Sequence, residues 1–276
     1  FGNGEWYGKK DTILAYNDEN SNFKPLPFSF DRASSATVVN KAGLIEIVGS
    51  GEARIDFLGN TNGALKLEPQ RTNLVTYSED LSQWSLTNVA LTQDALISPD
   101  GGLNADKIVS NQNGVDVKLA SITVTANTIY TYSFYCYYEG GTGLQGRFYD
   151  NIAGANIEFY DYTSQLEQSK WKRVTRTFTT PVGCTNIQVW LLASSTTFPV
   201  TAYYWGAQLE ASSYPTSYIP TQGSVVTRVA DVCNNGGNEQ VINSTEGTLY
   251  VEANLIDGYD NNNWLGIIYD SSNANN

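Results

Sequence analysis

Short apolar–polar alternations separated by Gly, Pro, Asn and Ser run through this chain, and no long stretch repeats its apolar residues at helical spacing. Ala36 to Asn40 and Leu44 to Val48 flank Lys41-Ala42-Gly43, a short connection ending in glycine that suits a bulged hairpin. Arg54 to Leu58 and Ala64 to Leu67 add two further extended segments between glycine turns. This unit is too small to bury much by itself, so it is expected to lean on a neighbour. Pro69 then fixes an extended joint. The clearest strands beyond it are Val115 to Leu119, Ile122 to Thr125, Ile129 to Tyr138, Gly146 to Asp150, Asn156 to Tyr162, Trp171 to Thr180, Asn186 to Ala193 and Val200 to Leu209. Eight or more strands over roughly 140 residues predict an all-β, two-sheet sandwich or jelly roll.

Within these strands the faces are readable. Tyr130, Tyr132, Phe134, Cys136 and Tyr138 share one side, and Thr131, Ser133, Tyr135 and Tyr137 the other. Ile187, Val189 and Leu191 form an apolar side with Trp190 and Leu192 opposite, which predicts a central strand covered on both faces. In Tyr203 to Val232 a strand breaks at Ser212-Ser213 and continues as a strap through Pro215 and Pro220. Trp205, Ala207 and Leu209 alternate there and are expected to form a structural core stripe. The segment from Pro215 to Pro220 is expected to be a rigid joint to whatever follows. Gly247 to Leu255 and Trp264 to Tyr269 then read as two strands opening another domain. The expected division is an arm over 1–27, a small β-rich unit over 28–72, a sandwich over 73–222, and a linker with the start of a further sandwich over 223–276. The arm is read as irregular, with Trp6 and Tyr7 as possible anchors. The chain begins at Phe1, contains no Met and ends just after a strand-like segment, so a longer native chain is expected.

Composition narrows the chemistry. Asp and Glu number 28 against 16 Lys and Arg, a net charge of −12, which argues against a nucleic-acid surface. No apolar run is long enough to span a bilayer as a helix. Three cysteines, Cys136, Cys184 and Cys233, are too few for a disulfide framework and are expected to be reduced. Histidine is absent, which removes the commonest general base and metal ligand. No cofactor or metal site is expected, and Asp257 and Asp260 with their asparagines read as a polar loop. The chain is therefore expected not to be an enzyme. Asp150 and Asp161 are the least implausible carboxylate pair for glycoside cleavage, and nothing in the sequence raises the pKa of either.

Aromatic residues are abundant, with 18 Tyr, 10 Phe and 6 Trp, and ring faces are a natural platform for the C–H face of a pyranose. Tyr135 and Tyr137, with Arg147, Tyr149, Tyr160 and Tyr162 on the strands that follow, are the candidate glycan-binding residues. The competing reading places each of these tyrosines in a core.

Several strings carry a more specific resemblance. Phe30-Asp31-Arg32-Ala33-Ser34, Ala36 to Asn40, Gly43-Leu44-Ile45 and Leu67-Glu68-Pro69-Gln70-Arg71-Thr72-Asn73-Leu74 precede the sandwich, together with Trp84 and Pro99-Asp100-Gly101. Tyr204 to Glu210, Tyr214 to Thr221, Val226-Thr227-Arg228 and Ala230-Asp231 close it. This set, over roughly residues 28 to 232, resembles head-fibre, tail-fibre and tail-spike proteins of phage virion appendages, whose jelly-roll domains are similar to carbohydrate-binding modules. The segment after Gly247 is similar to the opening of a concanavalin-like (laminin-G-like) sandwich. The resemblance implies a structural virion subunit assembled in a bacterial host, homo-oligomeric and threefold, whose arm meets capsid or tail-adaptor proteins. Its jelly roll would face host-surface or environmental glycans. Two alternatives stay open: a ligand-free decorating spacer, and the accessory part of a longer glycan-degrading spike.

Overall fold

The structure is a computed structural model that describes residues 15–17, 23–25, 29–59, 61–112, 114–194 and 197–234. It is all-β, and its centre is a jelly-roll sandwich of two five-stranded sheets. The ten strands are β1 (Ser85–Thr87), β2 (Ala90–Ile97), β3 (Leu103–Ser110), β4 (Asp116–Thr123), β5 (Ile129–Thr142), β6 (Gln145–Asp150), β7 (Ala155–Asp161), β8 (Trp171–Thr179), β9 (Asn186–Ser194) and β10 (Thr197–Glu210). One sheet has the order β2-β3-β10-β5-β8 and the other β7-β6-β9-β4-β1. Neighbours are antiparallel throughout. From β3 to β10 the chain passes repeatedly from one sheet to the other, so residues far apart in sequence meet between the layers.

The inter-sheet core follows the expected alternation in β5. Tyr130, Tyr132, Phe134 and Cys136 are buried and face Phe148 on β6 and Ile187, Val189 and Leu191 on β9. Aromatic rings interlock there: Tyr132 meets Phe148 edge-on at 5.9 Å, and Phe148 stacks on Phe178 at 3.9 Å. The three cysteines are free thiols, two of them buried.

The expected stripe of Trp205, Ala207 and Leu209 does not share one face. The pairing of β5 with β10 shifts register between Ser133 and Tyr135, and Gly206 sits at φ +66°. This bulge inserts an extra residue and reverses the alternation. Tyr204 therefore points into the inter-sheet core, and so do Ala207 and Leu209 beyond the bulge. Trp205 points outward, into a separate cluster with Ile45, Ala105 and Tyr218, and is still only 2% exposed.

That second cluster exists because the small unit and the strap close over the first sheet. Ala36–Val39 pairs with Ile45–Val48, and Ile55–Asp56 with Ala64–Leu65. After β10 the chain turns back. Val226–Arg228 pairs with Arg71–Asn73, and Val232–Asn234 with Ser29–Asp31. Residues 216 to 219 are all buried, Thr37 Oγ1 donates to the Tyr218 carbonyl at 2.6 Å, and Asn73 Nδ2 donates to that of Ile219 at 2.8 Å. The Pro215 to Pro220 segment is thus a buried seam between unit and sandwich, not an outward joint.

Five charged side chains lock this seam. Glu68 Oε2 lies 2.6 Å from Arg54 Nη1 and 2.7 Å from Arg228 Nη1. Asp231 pairs with Arg32 at 3.0 Å and also with Arg54. Every one of these side chains is at most 1% exposed. The Ser217 amide and hydroxyl donate to Glu68 as well, at 2.9 and 2.6 Å, and Arg228 reaches the Pro69 carbonyl at 2.7 Å. The charged strings on both sides of the sandwich therefore meet in one place.

Part of the segment expected to be an irregular arm is a short ribbon, Ala15–Asn17 paired with Phe23–Pro25. Trp6, Tyr7, Asp257, Asp260 and the segment expected to open a concanavalin-like sandwich lie outside the described residues.

Candidate functional site

The outer face of the second sheet is built by strict alternation in β6. Gly146, Phe148 and Asp150 turn inward and are buried, while Gln145, Arg147 and Tyr149 turn outward and are partly exposed. Gly146 is required by its inward neighbour: a Cβ there would stand 2.3 Å from the Tyr160 ring. Register then sets a row across the sheet. Arg147 lies opposite Phe159 on β7 and Trp190 on β9, Trp190 opposite Lys118 on β4, and Lys118 opposite Ser85 on β1. At about 4.8 Å per strand the row is about 19 Å long. Tyr149 starts a second row with Asn156 and Gln188.

Arg147 is the centre of this face. Its guanidinium carbon is 4.6 Å from the ring centres of Tyr149 and Trp190 and 5.0 Å from that of Phe159. Trp190 is roofed by Arg147 and by Lys118, whose ammonium is 5.0 Å from the ring, so it is only 2% exposed. The indole Nε1 donates to Asp116 Oδ1 at 3.0 Å, and Lys118 pairs with the other oxygen of Asp116 at 3.1 Å. Phe159 by contrast is 48% exposed. The accessible surface is therefore one bare ring, one half-covered tyrosine, a guanidinium between them and a fringe of amides. Such a surface can stack a sugar ring and satisfy its hydroxyls.

The six residues expected to bind glycan are not brought together. Arg147 and Tyr149 are on this face. Tyr135 and Tyr137 belong to the other sheet: Tyr135 packs 5.5 Å from Trp205 beneath the small unit, and Tyr137 lies 5.7 Å from Trp171 and 5.6 Å from Tyr203. Tyr160 and Tyr162 are 5% and 0% exposed in the inter-sheet core, so neither can meet a ligand. Burial holds both phenols above the usual tyrosine range, and the Tyr162 hydroxyl donates to the Leu191 carbonyl at 2.8 Å. The reason is register. Tyr160 pairs with inward Gly146, which leaves the intervening Phe159 facing out. Phe159 and Lys118 escaped the sequence reading, and Trp190 was expected only as a covered apolar group of a central strand. The signal for Phe159 was its odd place in the same alternation.

Asp150 and Asp161 stand at opposite ends of the β6–β7 hairpin, paired with Ala155 and Gln145, about 17 Å apart along the strand. Two carboxylates of a glycosidase must lie about 5–10 Å apart. Each also serves a turn, Asp150 accepting from the Ile152 and Ala153 amides and Asp161 from the Thr163 amide.

A concavity of about 370 Å³ lies away from this face, where the strap meets β2 and β3, and is lined by Glu79, Asp80, Asp94 and Asp106 among others. Burial raises the carboxyls of Glu79 and Asp106 above their usual range. Both have structural partners: Asp106 accepts the amides of Leu81 and Asp94 at 2.8 and 3.1 Å, and Glu79 accepts the Tyr218 hydroxyl at 2.7 Å. Among the described residues no acidic or cysteine group converges as a metal-binding set.

No family model matches this chain, and no curated protein matches it. Solved structures do. A structure described as a family 4 carbohydrate-binding module is 15% identical, with 46% of this chain and 76% of that chain covered, at a TM-score of 0.33. The family 22 module and catalytic module of Clostridium thermocellum xylanase 10B, complexed with xylohexaose, is 13% identical over 52% of this chain and 28% of that one, at 0.34. The enzymatically active domain of tailspike protein 4 from bacteriophage CBA120 is 13% identical over 50% of this chain and 21% of that one, at 0.37.

Proposed function

We propose that this chain is a non-catalytic glycan-binding subunit, and that its binding surface is the outer face of the second sheet. The observation that carries the reading is the Phe159–Arg147–Tyr149 arrangement: an exposed ring and a guanidinium on a rigid sheet, fringed by Gln145, Gln188 and Asn156. Rings on strands are fixed before a ligand arrives, so little conformational freedom is lost on binding. Such a shallow face binds weakly per copy and gains strength from several copies held together.

The larger object proposed is a phage virion appendage, a head or tail fibre or spike. The arm of residues 1–27 would contact capsid or tail-adaptor proteins, and the oligomer would be a trimer. What supports this is the set of resembling strings, four of whose charged members, Arg32, Glu68, Arg228 and Asp231, share one buried network.

Glycan-array binding by the full chain, displayed multivalently, tests the proposed surface. Binding that is lost in Phe159→Ala and Tyr149→Ala but kept in Tyr137→Ala is the expected result. A failure to bind any glycan in that format overturns it. Deleting residues 1–27 should abolish incorporation into particles, and unchanged incorporation would dismiss the arm's role.

A second reading has its own support. The buried network fixes the small unit to the sandwich, as a ligand-free spacer would require. On that reading the Phe159 and Tyr149 substitutions leave host-cell attachment unchanged.

A further inference from the structure

We infer that the glycan bound by this face is acidic, and that Arg147 receives the carboxylate of a hexuronate unit. This rests on the glycan-binding reading above and adds the class of sugar.

The inference comes from how the arginines are used. Arg32, Arg54, Arg176 and Arg228 all pair with carboxylates. Arg71 reaches the hydroxyls of Ser212 and Tyr214, and Arg173 that of Ser133. Arg147 faces only rings and pairs with no carboxylate among the described residues, although acids outnumber bases 28 to 16 in the sequence. Its Nε is shut off from water and has no hydrogen-bond partner. The side chain as a whole is partly exposed, so the terminal nitrogens carry the open donors.

Three ring contacts, at 4.6 to 5.0 Å from the guanidinium carbon, restrict where the guanidinium lies. A planar fork held in this way matches a carboxylate through two parallel charge-assisted hydrogen bonds. Phe159 lies directly across one strand gap, about 4.8 Å away, so a pyranose stacked on that ring brings a carboxylate on its C5 toward Arg147. Lys118 on this face is already paired with Asp116, which leaves Arg147 as the unpaired positive centre of the face among the described residues. A neutral sugar would leave those donors to water or hydroxyls and use the site incompletely.

Calorimetry of the full chain with short oligogalacturonates, oligoglucuronates and oligomannuronates, each compared with its methyl ester, tests this. Acid and ester share shape and differ in charge. At least one acid series should bind, with its ester at least about tenfold weaker. Arg147→Gln should remove that preference, and Arg147→Lys should retain part of it, because charge survives and the fork is lost. Melting temperatures establish that the variants fold. If Arg147→Gln does not fold, the acid–ester comparison on the unaltered protein decides alone. Acids and esters binding equally, with binding still abolished by Phe159→Ala, overturns the acidic specificity and leaves the glycan surface standing. Neutral cello- or xylo-oligosaccharides binding while no uronate does has the same meaning. If neither uronates nor neutral oligosaccharides bind, the acidic specificity fails, and the multivalent glycan array decides whether the glycan surface stands.

Discussion

Arg228 Nη1 lies 2.7 Å from Glu68 Oε2, and both side chains are about as buried as the centre of the sandwich. They come from opposite sides of the sandwich in sequence, so the pair forms only when the strap has returned across the small unit. Glu68 also serves Arg54 and the Ser217 amide and hydroxyl. Removing its charge therefore leaves two guanidinium groups buried with one acid fewer between them. Breaking a buried pair from one side costs about 3–5 kcal/mol, since the remaining charge has no solvent to return to. Glu68→Gln should lower stability by that order in urea titration. A loss under about 1 kcal/mol would mean that water reaches the network after the substitution.

The same carboxyl predicts the acid limb of stability. Burial alone would raise Glu68, but Arg228 and Arg54, with Lys66 and the Ser217 hydroxyl, bring it down from 4.5 to about 2. A folded-state pKa below the unfolded value contributes stability that is present above pH 4.5 and is lost as pH falls through about 2. The shift corresponds to about 3 kcal/mol. Glu79 and Asp106 are shifted the other way, chiefly by burial, so protonating them favours the folded state and opposes the loss. Melting temperature should hold steady on mild acidification and fall between pH 4.5 and 2. Glu68→Gln should start lower at neutral pH and fall less across that window. Parallel profiles would remove Glu68 from the acid transition.

The sandwich was legible because its core strands alternate cleanly. Tyr130 to Cys136 and Ile187 to Leu191 place apolar groups two residues apart, and the period alone assigns the faces. Trp205 was not legible, because a bulge has no signature in the alternation itself. Only Gly206, at a position needing positive φ, hinted that Trp205 and Ala207 part company. The buried network was visible as residues and invisible as a structure. Arg32, Arg54, Glu68, Arg228 and Asp231 look like solvated charges in sequence, and only the returning strap removes water from them. The candidate face was half legible. Arg147 and Tyr149 follow from period two, whereas Phe159 and Trp190 depend on register between strands, which single-strand patterns leave open.

Trp205 gives a prediction that depends on its outward placement. Its ring is 4.5 Å from Tyr218 and 5.5 Å from Tyr135, between the first sheet and the strap. Trp205→Ala should cost about 3–5 kcal/mol. Because the inter-sheet core is untouched, the loss should fall on the docking of the small unit. Trypsin should then cut after Arg54, fully buried in the intact protein, while the sandwich survives as a resistant fragment. Leu209→Ala, inside the inter-sheet core, should instead expose the whole molecule together. Identical digestion patterns for the two variants would contradict the separation of the clusters.

Gly146 and Tyr160 test the inner side of the strand that carries Arg147. A methyl at Gly146 would meet the Tyr160 Cζ and Oη at 2.3 Å, and that ring is held by stacking 5.0 Å from Phe148. Gly146→Ala should therefore cost about 1–3 kcal/mol through overpacking. The Tyr160 hydroxyl has no hydrogen-bond partner, so Tyr160→Phe alone should be neutral or slightly stabilising. Together the substitutions should cost less than Gly146→Ala alone, because one of the three clashing atoms, Cζ, Oη and Cε1, is gone. Such a favourable coupling in a double-mutant cycle would locate part of the strain between the methyl and the Tyr160 hydroxyl. Strict additivity would place the cost of the methyl on the ring carbons that phenylalanine keeps, Cζ and Cε1, and not on the hydroxyl.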